Sequence, residues 1–267
     1  MMTPFNPIPT ARNAHLQTLL PRLLRRQPLF APIWQAFDLP DGDFVDLAWT
    51  HHPEVGQPII VLFHGLAGSF DSPYANGLLA AFKQQGWCGV VMHFRGCSGR
   101  LNRAPRTYHS GETEDARAFL TYLRQTYPNN EIAAVGVSLG GNMLVRYLAD
   151  YQHDPIVSCS CAISPPLDLA ACSTRIQQGF PVFIKRICYG RCDKPYRKNL
   201  PDTKKWVGGM LGSGQRLKLC SSLIKRSPHR CMALTMLNTT IKAVVVYLSL
   251  TLLRSHLRLS MRKTIPL

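Results

Sequence analysis

The C-terminal part of this 267-residue chain is almost without acidic residues. No Asp or Glu follows Asp202, although residues 1–188 carry 13 acidic and 15 basic side chains. Residues 189–267 carry 16 basic and only 2 acidic side chains, so most of the formal charge of +16 belongs to that segment. A folded enzyme domain rarely lacks acids over such a length. The charge distribution therefore excludes a uniformly basic fold and divides the chain at about residue 188.

Long apolar runs and paired cysteines are also missing. The longest apolar stretch, residues 243–253, contains Ser and Thr and is shorter than the roughly 20 residues that a membrane helix needs. The N-terminal residues have no apolar run of the kind found in secretory signals. The nine cysteines form no CxxC pair, which argues against a zinc site and favours reduced thiols. We therefore expect a cytoplasmic protein with no membrane span and no metal or organic cofactor.

Apolar runs and helical patterns alternate over residues 43–163. Strands are predicted at 43–49, 58–63, 88–92, 132–135 and 156–163, and helices at 74–85, 111–127 and 142–148. The first strand alternates polar and apolar residues, which is typical of a half-buried strand, whereas 58–63 is apolar throughout and predicts burial on both faces. The alternation of strand and helix predicts a mostly parallel sheet with helices on both faces.

A G-x-S-x-G pentapeptide, residues 136–140, lies between a predicted strand and a predicted helix. This is the context of a nucleophile elbow, a tight turn that exposes a serine at the end of a strand. The flanking glycines leave room for the strained turn. Ser138 is therefore the candidate nucleophile, and the alternative is an ordinary turn serine. A serine hydroxyl needs a general base, usually a histidine oriented by an acid.

A glycine-containing loop follows the buried strand at 58–63. In hydrolases with such an elbow, this loop donates one backbone N–H to an oxyanion hole, and the residue after the nucleophile donates another. Leu66 and Leu139 are the predicted donors, and Gly65 lets the backbone approach the substrate. We interpret His64 as a structural residue of the loop, because the catalytic histidine of these enzymes comes last in the chain.

A second loop, residues 93–112, follows the strand at 88–92 and is expected near the mouth of the pocket. It contains Arg95 and Gly96. Arg95, like Arg103, can either contact an anionic substrate or fasten the loop to carbonyl and carboxylate groups. His109 precedes the serine and is interpreted as structural. Farther along, Asp168 is expected to cap a local turn.

Several of these motifs together resemble the YheT-type bacterial α/β-hydrolases, which are relatives of abhydrolase-domain esterases and medium-chain acyl ester esterase/acyltransferases. The resemblance spans about residues 10–187 and is carried by residues 15–18, 63–69, 94–99, 108–115 and 136–142. It implies an α/β-hydrolase fold and a serine carboxylesterase that acts on small acyl esters, with the triad in the order Ser, Asp, His.

Residues 189–267 depart from that family. The resemblance implies a late Asp and a C-terminal His, but the segment offers only Asp193, Asp202, His229 and His256, none in a matching context. We therefore expect an α/β-hydrolase core at residues 1–188, with an N-terminal extension at 1–36, and an atypical basic tail at 189–267. The late strands of the sheet are expected to be missing and the activity to be impaired.

A frameshift would explain the tail. Residues 259–267 can be encoded by DNA that reads I-H-A-K-D-D-P-F in another phase, and residues 231–240 can be encoded so that the same phase reads H-G-F-D-D-A-Q-Y-Y. Both strings look like the family, so we hypothesise a truncated core followed by out-of-frame translation after about residue 187. Two alternatives stay open: a non-catalytic remnant that binds acyl ligands, and a basic module that binds nucleic acid or anionic lipid through the tail. A nucleic-acid partner is not expected, and the oligomeric state is left open.

Overall fold

The computed structural model describes residues 28–176, 232–234 and 245–249, so most of the predicted N-terminal extension and basic tail lies outside the described residues. The strands are β1 (Ile33–Asp38), β2 (Phe44–Trp49), β3 (Ile59–Phe63), β4 (Cys88–Met92), β5 (Ile132–Val137), β6 (Cys159–Ile163), β7 (Met232–Leu234) and β8 (Val245–Ser249). The helices are α1 (Pro73–Gln84), α2 (Glu114–Thr126), α3 (Leu139–Asp150) and α4 (Leu169–Ile176). Within this part of the chain, no helix combines the length and the apolar character that crossing a bilayer requires.

All eight strands form one sheet in the order β1-β2-β4-β3-β5-β6-β8-β7. The four central strands, β4, β3, β5 and β6, run parallel. The strands at both edges of the sheet pair antiparallel with their neighbours. Parallel neighbours need crossover connections, and the helices α1, α2 and α3 supply them. The predicted α/β fold, with a mostly parallel core, is confirmed.

Helices cover both faces of the sheet. On one face, Val61 and Phe63 of β3 belong to a core that includes Phe119 of α2 and Leu144 of α3. On the other face, Leu62 packs in a cluster with residues of α1. Successive side chains of a strand point to opposite faces, so an apolar run such as β3 fits a sheet that is covered twice. All five residues of β3 are buried, as the sequence predicts.

The burial of β2 differs from the prediction. The alternating pattern predicted a half-buried strand, but all six residues of β2 are buried, so that interpretation is wrong. The reason is tertiary: Leu47 and Trp49 pack in the core on one face of the sheet, and Ala48 packs in the cluster on the other. The neighbours of β2 in the sheet are β4 and β1, and β1 was not predicted from the sequence. The carboxylate of Asp46 stays buried because the Arg100 guanidinium donates to it at 2.8 Å.

The tail contributes two short strands that the sequence did not predict. β8 pairs antiparallel with β6, with Cys159 opposite Ser249 and Ile163 opposite Val245. β7 in turn pairs antiparallel with β8. In the described segments no further parallel strand follows β6, and the antiparallel strand β8 lies beside it instead.

A buried ion-pair network fastens the loop after β4. The Arg95 side chain is 1% exposed and donates two hydrogen bonds of 2.7 Å to the Asp115 carboxylate. The same guanidinium contacts Asp41 at 2.8 Å and the fully buried Asp43 at 3.2 Å. Burial opposes the charge of Asp43, but hydrogen bonds led by the Asn102 amide outweigh it and hold the pKa of Asp43 below 3.8. Arg95 therefore ties this loop to the β1–β2 turn and to α2.

Replacing Arg95 is predicted to destabilise the fold strongly. Arg95→Ala leaves Asp43 and Asp115 as buried, uncompensated carboxylates, which costs about 3–5 kcal/mol of the free energy of unfolding. Arg103→Ala is the matched control, because its ion pair with Asp38 is exposed on both sides and is worth less than about 1 kcal/mol. Urea unfolding of both variants at pH 7 measures the difference. Equal losses would contradict the assigned role of Arg95.

Candidate active site

Three strained backbone positions lie at the carboxyl ends of neighbouring strands. Ala67, Ser138 and Ser164 are the non-glycine residues of the described chain with positive φ, at 51°, 52° and 47°. They follow β3, β5 and β6, which are adjacent in the sheet. Such a conformation costs about 1–3 kcal/mol for a residue with a side chain and persists only where the surroundings enforce it. Strain of this kind concentrates at functional sites.

Ser138 occupies the turn between β5 and α3. Its N–H donates to the carbonyl of Ile163 at 2.8 Å, and its carbonyl accepts from the N–H of Asn142 at 3.0 Å. A Cβ on Gly136 would lie 2.5 Å from the Gly140 carbonyl oxygen, and a Cβ on Gly140 would overlap the carbonyl of Phe63. Only glycine fits at these two positions, which explains the pattern around the serine in steric terms.

The loop after β3 packs directly against this turn. A Cβ on Gly65 would lie 3.3 Å from the Cβ of Ser138, so the Gly65 backbone and the serine are neighbours. The N–H of Leu66 has no acceptor among the described residues, and neither has that of Leu139, the first residue of α3. The first amides of a helix have no partner within the helix and carry partial positive charge. Two unpaired amides thus flank Ser138.

His64 and His93 are fully buried and neutral. Nδ1 of His64 bonds the Gly65 carbonyl at 2.7 Å, and its Nε2 accepts from the N–H of Phe94 at 3.0 Å. His93 repeats the arrangement with the Asp46 carbonyl and the Phe70 N–H. Burial, with His93 nearby, lowers the pKa of His64 to about 3, and burial also lowers the pKa of His93. With both ring nitrogens engaged, His64 joins loops rather than accepting a proton.

None of the described histidines forms a hydrogen bond with Ser138. The serine hydroxyl forms no hydrogen bond with any residue of the described segments. His51 bonds Thr50 and Gln57, and Gln57 in turn binds the Gly86 carbonyl ahead of β4, at the amino-end side of the sheet. The partly exposed His109 lies 3.7 Å from Glu112 within its own loop. The tail residues considered as acid or base, Asp193, Asp202, His229 and His256, lie outside the described residues.

The structure decides between the two interpretations of the loop arginines. Arg95 is surrounded by three carboxylates, so its guanidinium has no free face for a substrate. Arg103 bonds Asp38 and the Gly42 carbonyl and also fastens the loop. The N–H of Gly96 donates to the Asn102 side chain at 2.6 Å. These residues shape the loop and are not brought to the serine.

Two cysteines of the sheet, Cys88 and Cys161, are poor alternatives to Ser138 as nucleophile. Burial raises the pKa of Cys88 to about 12 and that of Cys161 to about 11, so both thiols stay protonated near neutral pH. Among the described residues there is also no group of three or more His, Cys, Asp or Glu that could hold a metal ion. Asp168 accepts from the N–H of Ala171 at 2.9 Å and caps α4, as predicted.

A polar cleft of about 630 Å³ opens elsewhere on the molecule. It lies between the loop after β4 and the C-terminal half of α3, whereas Ser138 precedes the N-terminus of that helix. Its arginines are already paired, Arg106 with Glu112 and Glu114 and Arg146 with Asp150. The cleft therefore does not form part of the site around the serine.

Comparison with known proteins gives a consistent assignment. The family described as "alpha/beta hydrolase fold" matches residues 58–190. The Escherichia coli (strain K12) protein named "Putative esterase YheT" is 44% identical over 257 residues, covering 91% of this chain and 76% of that protein. "Phospholipase ABHD3" of Bos taurus is 27% identical over 61% of this chain and 41% of its own length. Residues 1–188 alone cannot supply 91% of the chain, so the first match extends into the basic tail.

Solved structures include similar chains. The esterase Pf2001 of Pyrococcus furiosus aligns with 19% identity and a TM-score of 0.47, over 61% of this chain and 64% of that chain.

The two buried histidines predict acid sensitivity. An unfolded histidine has a pKa near 6.5, whereas folded His64 excludes the proton down to about pH 3. Their contribution is therefore complete above pH 6.5 and is lost as the pH falls below it, by about 1.4 kcal/mol per pH unit for each histidine that stays neutral. Urea midpoints should stay constant from pH 7.5 to about pH 6.5 and should then fall steadily down to pH 4.5. The pKa values of Asp41 and Asp43 are held below 3.8, so these two carboxylates change the free energy of unfolding only at lower pH.

A substitution separates this effect from general acid unfolding. His64→Gln should flatten the pH slope, because one proton-binding group of the unfolded state is gone. His153→Gln, at an exposed position after α3, should leave the slope as in the parent chain. A parent midpoint that does not change between pH 6.5 and 4.5 would show that the rings are protonated in the folded protein.

Proposed function

Because this chain belongs to the YheT-type α/β-hydrolases, a family of esterases, we propose that it is a serine hydrolase that attacks carboxylic (acyl) esters and forms an acyl-enzyme at Ser138. The observation that carries the proposal is the position of Ser138, in a left-handed turn at the end of β5, between the unpaired N–H groups of Leu66 and Leu139. No metal or organic cofactor enters the proposal.

The chemistry follows from that placement. The Ser138 oxygen attacks the ester carbonyl carbon, its proton passes to a general base, and the carbonyl oxygen becomes an oxyanion. Two fixed N–H donors stabilise that oxyanion better than they stabilise the ester, because charge develops only during attack. Collapse of the intermediate releases the alcohol with a proton and leaves the acyl group on Ser138. Water then repeats the attack and releases the acid.

The proposal includes an impaired turnover. None of the described histidines forms a hydrogen bond with Ser138, so we propose that attack depends on solvent or on a group outside the described residues. An active site that keeps donors and binding but has lost its triad retains roughly 10³-fold acceleration over water. The competing candidate is a remnant that binds acyl ligands without reacting, and the same nucleophile test separates the two.

The test is covalent labelling by a fluorophosphonate probe, which reacts with activated serines. We expect slow but complete labelling of the folded chain, located at Ser138 by peptide mass spectrometry. Ser138→Ala should abolish it, because the only proposed nucleophile is removed. Ser158→Ala, a serine just before β6, is the matched control and should label like the parent chain.

The outcomes of this labelling are distinct. Labelling that persists in Ser138→Ala, or none in a folded parent chain, would overturn the esterase proposal. A chain that binds a fatty acid but never labels would establish the acyl-binding remnant.

The out-of-frame hypothesis for the tail stays a prediction, as does the division into 1–188 and 189–267. The accumulation of basic residues counts for it, and the extension of the Escherichia coli match past residue 188 counts against it. Sequencing the gene across codons 175–200 and past the stop decides the matter. An added or missing base, with D-D-P-F and then G-G-H in the restored frame, is the expected result. An intact frame would show that the tail is genuinely encoded. Salt-dependent nucleic-acid binding that is lost on deleting residues 189–267 would then identify the tail as a nucleic-acid-binding module.

A further inference from the structure

Two tyrosine hydroxyls hold the loop that carries Leu66. The hydroxyl of Tyr74 accepts from the N–H of Gly65 at 2.8 Å, and the hydroxyl of Tyr108 accepts from the N–H of Ala67 at 2.9 Å. The amide between them, that of Leu66, has no acceptor among the described residues. Both neighbours of the proposed oxyanion donor are thus engaged by side chains, while the donor itself is left available.

The turn between these two hydrogen bonds is strained. The N–H of Gly68 donates to the Gly65 carbonyl at 3.0 Å, which closes a four-residue turn with Ala67 in its third position. Ala67 has a φ of 51°. Turns with a positive φ at the third position normally have glycine there. The opposite orientation of the Leu66–Ala67 peptide would give Ala67 an ordinary negative φ. That rotation would turn the Ala67 N–H away from the Tyr108 hydroxyl, which accepts a hydrogen bond from it.

The tyrosines come from separate elements and are themselves fixed. Tyr74 is the second residue of α1, and a Cβ on Gly68 would lie 2.8 Å from its hydroxyl, so the loop is shaped around that oxygen. Tyr108 lies in the loop after β4, is 4% exposed, and stacks on the Phe94 ring at 5.0 Å. A hydroxyl held in this way keeps an amide in one orientation without occupying the site.

We propose that Tyr74 and Tyr108 are positioning residues of the oxyanion hole: their hydroxyls hold the amides of Gly65 and Ala67 and thereby keep the Leu66 N–H directed toward the carbonyl that Ser138 attacks. The proposal rests on the esterase function proposed above. In this proposal the tyrosines act through the orientation of one peptide segment and not as oxyanion donors themselves.

The substitutions that test the proposal are Tyr74→Phe, Tyr108→Phe and the double variant. Each removes one oxygen and keeps the ring. Tyr122→Phe, a tyrosine of α2 whose ring packs on Phe37 and Phe119, is the matched control.

The first readout compares a p-nitrophenyl ester with the corresponding thionoester. Sulfur is a poor hydrogen-bond acceptor, so hydrolysis of the thionoester gains little from oxyanion donors. Loss of a donor costs about 10²–10³ in kcat. The ratio of kcat/KM for ester over thionoester should therefore fall about 10-fold or more in the double variant, through kcat rather than KM. General destabilisation lowers both rates together, so an unchanged ratio in the double variant overturns the proposal.

The second readout does not need activity. Amide exchange followed by NMR in the full chain should show protected N–H groups at Gly65 and Ala67 and a faster-exchanging one at Leu66. Tyr74→Phe should remove the protection at Gly65, and Tyr108→Phe that at Ala67. A parent chain that hydrolyses neither ester refutes the esterase function. In that case the amide-exchange measurement alone tests the two tyrosine hydrogen bonds. Unprotected Gly65 and Ala67 amides in the parent chain would overturn the proposal.

Discussion

The close packing of the Gly136–Gly140 turn against the carboxyl end of β3 is the contact on which the rest of the site depends. Without side chains at these two glycines, the backbone of the turn lies against the Phe63 carbonyl, and Ser138 is forced into its left-handed conformation. The same approach brings the loop after β3 beside the serine. The proposed nucleophile and the proposed oxyanion donors therefore come from one steric fit between neighbouring parallel strands, which is why both lie at the same edge of the sheet.

The loops around this edge are held by groups that do no chemistry. Arg95 neutralises carboxylates from the β1–β2 turn and from α2, while two neutral histidines and two tyrosine hydroxyls satisfy loop amides and carbonyls. Arg95, the two histidines and Tyr108 are buried, and Tyr74 is half-buried. Polar groups in such positions are costly to leave unpaired, so each contact specifies one arrangement of the backbone. The fixed amides need no reorganisation when charge appears on a substrate, and this is the physical source of transition-state stabilisation in such sites.

The part of the chain that the structure describes thus contains the proposed nucleophile and the proposed oxyanion donors. Their positions depend on β3 and β5 at the centre of the sheet, where each of these strands has a neighbour on both sides. A general base in this fold belongs to loops that follow later strands. Here the strand beside β6 is β8, which runs antiparallel to β6. The first residue of β8 therefore lies beside the carboxyl end of β6, and the chain leaves β8 at the far side of the sheet from Ser138. The proposed donor site is therefore complete within the described residues, whereas the general base has no assigned residue among them.

The sequence by itself determined the local elements: the buried strand β3, the turn at Ser138, the glycine-containing loop that carries Leu66, and the helices on both faces. These follow from residue periodicity and glycine placement, which act within a few neighbouring residues. Only the tertiary structure decided that β2 is fully buried, that Arg95 binds carboxylates instead of a substrate, and that Tyr108 holds the amide of Ala67. Those contacts join residues 52 and 41 positions apart, and neither partner carries a local pattern that identifies the other. Long-range pairing depends on which strands become neighbours, and that choice is made by the packing of the whole sheet.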